Sequence, residues 1–335
     1  MDNLKDRVTI YQVAKAAGVS LATVSRVINK QGSVTASTRE KVEKTIAELG
    51  YKPSGLAQAL ATNHTTNIGV IIPSPNYVYI ANFLSGITQI AKEKNYNLTL
   101  FPTAHSRDEA LEMIEKVISS HVDGAIVFDD QLGPDDIKKI ASYNVPSIVI
   151  DNKVSAEKIG DIRFNYDEAL RRFILDYYEK GGVAPMTFLH VHNAGRLLAR
   201  CERIFVQTHE ELNREYKVIS CDDSYTRTYG DMMEYFRDHP EARKGVYIGY
   251  RDSIAAAIEN AATDSGLSVP DDIEVLSLVG TKYSQIVRPK LSTMHIDMAE
   301  VGKRAMYMLA ELLSKELIDK SAHFNATFVK GGSTK

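Results

Sequence analysis

Apolar side chains recur at helical spacing through the first fifty residues. From Ile68 onward they collect into short β-rich runs separated by helical stretches. In the head, Thr9 and Gln12 form a capping box in which the two side chains satisfy N–H groups at a helix start. Val13, Ala14 and Ala17 line one apolar face, and Gly18 ends that helix where a left-handed backbone is needed. Val19 plugs the turn, Ser20 caps a second helix, and Val24, Val27 and Ile28 are its inward positions. Ser37 with Glu40 predicts a second capping box, opening a third helix with Val42, Ile46 and Leu49 inside and Gly50 as its stop. Tyr51-Lys52-Pro53 closes this small globule.

Two short helices joined by a turn holding a Gly and a buried Val make a helix-turn-helix, whose second helix enters the major groove of DNA. The outward positions of that helix are Leu21, Ala22, Thr23, Ser25, Arg26 and Asn29. They are small, polar or cationic, and suit base edges and phosphates. An ordinary helical hairpin is the competing interpretation. Charge separates the two: residues 1–63 hold nine Lys+Arg against five Asp+Glu, +4, and the remainder holds 31 against 38, −7. A basic head on an acidic body fits a nucleic-acid module.

Behind the head the chain alternates. IGVIIP, NLTLFPT, GAIVF and SIVID are separated by helices near 79–94, 107–120 and 134–143. MTFLH, KVISC, GVYIGY and IEVLSLV follow, with helices near 166–180, 197–213, 227–237 and 252–265. Strands alternating with helices mean parallel sheets covered on both faces. At 335 residues the chain exceeds one core and divides into two doubly wound subdomains facing one cleft, with ligand expected at the carboxyl ends of the strands. The start, MDNLKDRVTI, has no apolar core of a signal peptide, and no run approaches a membrane span. Cys201 and Cys221 lack metal-like spacing, so free thiols in the cytoplasm are expected, with no cofactor. His190 and His192 share a strand face, but no third metal ligand is evident. A Gly-rich phosphate loop, a nucleophile elbow and zinc-type Cys spacing are lacking, so an enzyme is not expected. A sugar-binding protein that does not regulate DNA is the runner-up.

The phrases YQVAKAAGVSLATVSRVIN and STREKVEKTIAELGYKPSGLAQALA resemble the head of the lactose-repressor (LacI/GalR) family of bacterial transcription regulators, nearly without gaps through residue 61. TIYQVA, SLATVSRVIN, TTNIGVIIP, VRPKLST and the terminal GGSTK are most similar to the catabolite control protein A branch of that family. The resemblance implies an all-α helix-turn-helix head on an α/β periplasmic-binding-protein-like body of two doubly wound parallel-sheet subdomains. The expected division is a head at 1–53, a hinge helix and linker at 54–65, and a body at 66–335. Within the body, one subdomain covers about 66–164 and 294–322, the other about 165–293 and 323–332. It also implies a homodimeric repressor on a palindromic double-stranded operator, probing DNA with Thr9, Tyr11, Ser20, Leu21, Ala22, Thr23, Ser25, Arg26 and Asn29, and with Ser54, Ala57 and Leu60 of the hinge. Leu60 matches the apolar wedge that unstacks a base step at a cost of about a few kcal/mol; a plain packing contact is the alternative. Where relatives carry Asn-Arg or Asn-Ala, this chain has Ser54-Gly55, and Gly55 lowers helix propensity by roughly 1 kcal/mol against Ala.

For the effector, a sugar or sugar phosphate, the resemblance singles out Asp252 and Tyr79. Asp129, Asp130, Asp151 and Asn152 end strands where a hydroxyl could be held, and Arg200 and Arg203 flank a family Arg position. Each has a bland counterpart: Asp252 as a helix N-cap, Tyr79 as core or rim, and Asp129, Asp130 and Asp151 as solvated loop residues. The family's Gly-Phe-Asp strand end is replaced by Ser277-Leu278-Val279-Gly280, which weakens the case for a monosaccharide. The branch resemblance implies a second input, a serine-phosphorylated phosphocarrier protein docking at Lys303, Arg304 and Tyr307. Tyr307 stands where the branch has Arg, a plain solvated face is the preferred reading of Lys303 and Arg304, and a divergent paralogue answering to a non-sugar input is the alternative.

Overall fold

Capping and one apolar stripe per helix build the head. The computed structural model describes residues 8–29, 32, 34–52, 64–104, 106–153, 156–192, 195–316 and 319–335. Its two units are Met1–Thr66 and Asn67–Lys335. In the first, α1 is Ile10–Ala17, α2 is Leu21–Ile28 and α3 is Ala36–Leu49. Thr9 N–H donates to Gln12 Oε1 at 2.7 Å while Gln12 N–H donates to Thr9 Oγ1 at 3.4 Å, the reciprocal box expected from the sequence. Gly18 adopts φ 63°, and Val19 N–H closes the turn on the Ala14 carbonyl at 3.1 Å. Val13, Ala17, Val24 and Val42 are fully buried, with Val19, Ile28 and Ile46 packed around them.

Two expectations for α3 need correcting. The cap is Thr35, whose Oγ1 accepts from Thr38 N–H at 3.4 Å, so Ser37 lies inside the first turn rather than ahead of it. Ala36 is a strong helix former and lets the helix begin earlier. Leu49 is 38 % exposed, and Thr45 takes a buried place instead, its hydroxyl bonded to the Lys41 carbonyl at 2.9 Å. At 14 residues α3 outruns the two eight-residue helices it covers, and while Ile46 still packs on their core, Leu49 at its end does not.

The second unit holds two six-stranded sheets. The first runs β11-β5-β4-β3-β1-β2, from β1 (Asn67–Ile72), β2 (Asn97–Pro102), β3 (Gly124–Val127), β4 (Ser147–Ile150), β5 (Ile159–Asn165) and β11 (Ser321–Asn325). All its pairings are parallel. The second runs β12-β10-β9-β8-β6-β7, from β6 (Met186–Val191), β7 (Tyr216–Cys221), β8 (Gly245–Gly249), β9 (Ile273–Ser277), β10 (Ser292–His295) and the antiparallel edge strand β12 (Thr327–Val329). The covering helices are α4 (Val78–Glu93), α5 (Arg107–Ser119), α6 (Pro134–Ser142), α7 (Asp167–Glu179), α8 (Arg196–Glu211), α9 (Tyr225–Asp238), α10 (Asp252–Asp264), the short α11 (Lys282–Ile286) and α12 (Met298–Leu313).

The chain passes between lobes at Tyr166, Ile296 and Ala326, all buried. Asn165 Nδ2 donates to Asn325 Oδ1 at 3.1 Å, tying two of these crossings together. In each sheet the strand order reverses beside one strand, between β1 and β3 and between β6 and β8. These are the crevices where doubly wound sheets receive ligands.

Candidate functional site

The head presents its reading surface on α2. Leu21 is 38 % exposed, and Ala22, Arg26 and Asn29 are exposed; Thr23 and Ser25 are half-buried. Tyr11, on α1, is 70 % exposed. Two candidates already have local work. Ser20 Oγ accepts from Thr23 N–H at 3.2 Å and lies 2.9 Å from Thr23 Oγ1, and Thr9 is committed to its capping box. Asn29 Nδ2 donates to Ser25 Oγ at 3.3 Å, so these two outward side chains are held together. Ser54, Ala57 and Leu60 lie outside the described residues.

In the body, the carboxyl ends of β1, β3, β4, β8 and β9 converge on a cleft lined by Tyr79, Phe128, Asp130, Asp151, Tyr166 and Tyr250, among others. Its volume is about 30 Å³, far below the roughly 300 Å³ at which small-molecule pockets begin. The cleft is closed. A larger concavity of about 640 Å³ sits at the start of β6 and along α7, away from those strand ends.

Two of the acidic candidates, Asp129 and Asp151, are not solvated loop residues, whereas Asp130 is half-buried. Asp129 is 1 % exposed, accepting from the Thr103 hydroxyl and from Gln131 N–H at 2.9 Å. Asp151 is 9 % exposed at a left-handed φ of 55° and takes bonds from Arg200 at 3.0 Å and Phe164 N–H at 3.2 Å. Burial pushes the Asp151 carboxyl up from its ordinary value, and the Arg200 guanidinium opposes it. Arg200 also donates to the Phe164 carbonyl at 2.9 Å, so it braces the β4–β5 corner.

Asp252 is not a helix N-cap, because Arg251 occupies that place. Its Oδ1 accepts from Ser277 Oγ at 2.5 Å and Gly280 N–H at 3.0 Å, and its Oδ2 from Thr281 N–H. The carboxylate pins the loop after β9, the same stretch in which the family's Asp is missing. Tyr79 is half-buried, stacked on Tyr77 with ring centroids 5.5 Å apart.

Three side chains outside the expected set bridge the lobes beside this cleft. Tyr77, at the start of α4, donates its hydroxyl to Asp223 Oδ2 at 3.0 Å. Asp223 is also paired with Arg251, whose guanidinium lies 3.8 Å from the Tyr77 ring centroid and 5.3 Å from that of Tyr250. Arg251 follows directly after Tyr250 at the carboxyl end of β8, the strand-end position that drew attention to Asp129 and Asp151 in the sequence. The same rule would have found it.

The partner candidates lie on α12. Lys303 pairs with Glu300 at 2.6 Å, Tyr307 donates to Glu93 Oε2 at 3.0 Å, and Arg304 is half-buried. His190 Nδ1 lies 2.6 Å from Glu202 Oε2, and among the described residues no group of three possible metal ligands occurs.

A helix-turn-helix head followed in the chain by a two-lobed α/β body with a cleft at its strand ends defines a DNA-binding transcription regulator with a sensor-type body. Residues 9–54 match the bacterial regulatory proteins of the lacI family, and residues 186–334 match the periplasmic binding protein-like domain. Catabolite control protein A of Priestia megaterium is 30% identical over 319 residues, covering 94% of this chain and 95% of that protein. The protein of the same name from Staphylococcus xylosus is 29% identical, covering 93% and 94%. The lac repressor dimer bound to operator and the anti-inducer ONPF superposes with TM-score 0.86 at 23% identity over 98% of this chain and 99% of that one. The chain belongs to the lacI family of bacterial transcription regulators, and it is a regulator rather than an enzyme.

Proposed function

We propose that the protein is a homodimeric repressor that reads a palindromic operator with paired α2 helices and serves carbon or sugar metabolism in the cytoplasm. The exposed face of α2, small at its tip and cationic at Arg26, carries this reading. Leu21 and Ala22 meet base edges, Thr23, Ser25 and Asn29 extend that contact, and Arg26 meets phosphate, with Thr9, Tyr11 and Ser20 on the flanking backbone. Ser54, Ala57 and Leu60 supply the hinge contact in the minor groove. A single head makes too few contacts to select one site in a genome, whereas a symmetric pair doubles them. Pairing is supported by the exposed Tyr283 and Ile286 on α11, 40 % and 63 % exposed. The relatives named catabolite control protein A support the carbon-metabolism assignment. Among the described residues no helix is long and apolar enough to cross a membrane.

Control enters through the body, by a small effector in the cleft near Tyr79, Asp129, Asp151, Arg200 and Asp252. A ligand moves the equilibrium only by its differential affinity for the two arrangements of the lobes. The phosphocarrier reading is weaker on this chain: Lys303 and Tyr307 are each tied to a carboxylate of their own, and a phosphoserine would have to compete with it. Enrichment of bound duplexes from a random pool tests the reading. A palindrome with half-sites about one helical turn apart is expected, and exchanging Leu21 with Ala22 alters its bases. Failure to enrich any sequence, or enrichment of one half-site alone, contradicts it.

A further inference from the structure

Beside the closed cleft, the two lobes are joined by an ionic clasp made of the protein's own side chains. Tyr77 from one lobe, and Asp223 and Arg251 from the other, meet in one bonded cluster. The side chain of Arg251 is only 9 % exposed, and its Nε is buried with no hydrogen-bond partner. At the end of β4, next in the chain to Asp151 of the cleft lining, the side-chain nitrogen of Asn152 is also buried and unpartnered. Buried donors without acceptors are costly, so this crevice is short of negative or acceptor groups even with Asp223 in place. Arg251 sits between aromatic rings in a region of low dielectric. Any molecule that parts the clasp must therefore supply a charge to replace the one it removes. A neutral sugar cannot do so: opening the clasp for it strands a buried guanidinium.

We propose that the effector of this protein is a small organic acid whose carboxylate takes the place of the Asp223 carboxylate on Arg251, and that the cleft rejects neutral sugars. The inference rests on the reading that the cleft is the effector site. The geometry is that of exchange between like groups. Asp223 already shows that a carboxylate can reach Arg251 while accepting from the Tyr77 hydroxyl, and planar guanidinium–carboxylate pairing is the strong form of that contact. The rings of Tyr79, Phe128, Tyr166 and Tyr250 offer an apolar bed for the carbon skeleton of the acid. Asp223 is an internal competitor, so the apparent affinity for an acid is lowered by the fraction of time the clasp is shut.

Calorimetric titration of the full chain tests this with D-glucuronate, D-gluconate, short mono- and dicarboxylates, D-glucose 6-phosphate and D-glucose. Wild type is expected to bind at least one carboxylate and not glucose, and Arg251→Asn to lose that binding. Asp223→Asn, which removes the competitor but keeps Arg251, is expected to tighten the carboxylate at least about tenfold. That gain cannot come from a misfolded variant. Binding of glucose that survives Arg251→Asn, or of the phosphate ester but no carboxylate, overturns the acid assignment while leaving the cleft as effector site. No binding of any compound to wild type or to Asp223→Asn overturns the assignment and the cleft reading together, with DNA binding by the head unaffected.

Discussion

At the scale of single residues, function and stability draw on the same buried polar groups. Asp252 accepts from three donors of the loop after β9, so it acts as a structural staple whatever the ligand does. Glu259 is the opposite case: it lies fully buried on α10 with both carboxylate oxygens unpartnered. Burial alone raises its carboxyl from an ordinary 4.5 to about 7. A raised acid binds its proton in the folded state before the unfolded one does. Its contribution is therefore present at low pH and lost as pH rises from about 4.5 to about 7, on the order of 3 kcal/mol in all. Glu259→Gln is expected to gain stability over wild type across that window in urea unfolding followed from pH 4 to 8. An unchanged difference would rule out an uncompensated carboxylate. Some of this scale was legible in the sequence. The Thr9 box, Gly18 and the capping Ser20 follow from short-range chemistry, and all stand. Thr35 displaced Ser37 because two hydroxyl residues compete for one cap and spacing alone does not choose between them. Arg251 stands at a strand end that the sequence marks, but its partnership with Asp223 joins residues 28 apart in the chain and has no local signal.

At the scale of elements, the pair α4 and α12 sets the lobe that carries the crossing at Ile296. Two glycines allow the helices to touch backbone to backbone: a Cβ at Gly302 would lie 2.1 Å from the Phe83 carbonyl oxygen, and one at Gly86 2.0 Å from that of Ala299. No rotamer relieves a clash with backbone, so Gly302→Ala is expected to cost about 1–3 kcal/mol or more. Thermal unfolding of the variant should show a clearly lowered midpoint, and a midpoint equal to wild type would mean the helices are not packed this way. The strands with apolar runs could be read from the sequence to within a residue or two. β5 could not, because its run IGDIRFN carries Asp161 and Arg163, which read as surface but neutralise each other, Arg163 Nε to Asp161 Oδ2 at 2.5 Å. The short strands β10, β11 and β12 have polar, mixed composition, and their pairing comes from tertiary context rather than pattern. The parallel architecture was legible because alternation of strand and helix leaves few other solutions.

At the scale of the whole molecule, the two-unit division and the opposite charge of its parts serve one purpose. A basic head is attracted to a phosphate backbone and an acidic body is repelled by it. If the heads act in symmetric pairs, the stoichiometry on DNA must show it. Sedimentation analysis of the full chain with its enriched palindrome, and with the same duplex scrambled in one half, reads both the number of chains bound and the affinity. Two chains per palindrome are expected, with a loss of at least about a hundredfold when one half is scrambled, since removing a half-site discards several kcal/mol of base contact. One chain per duplex, bound equally well to both, would contradict symmetric pairing.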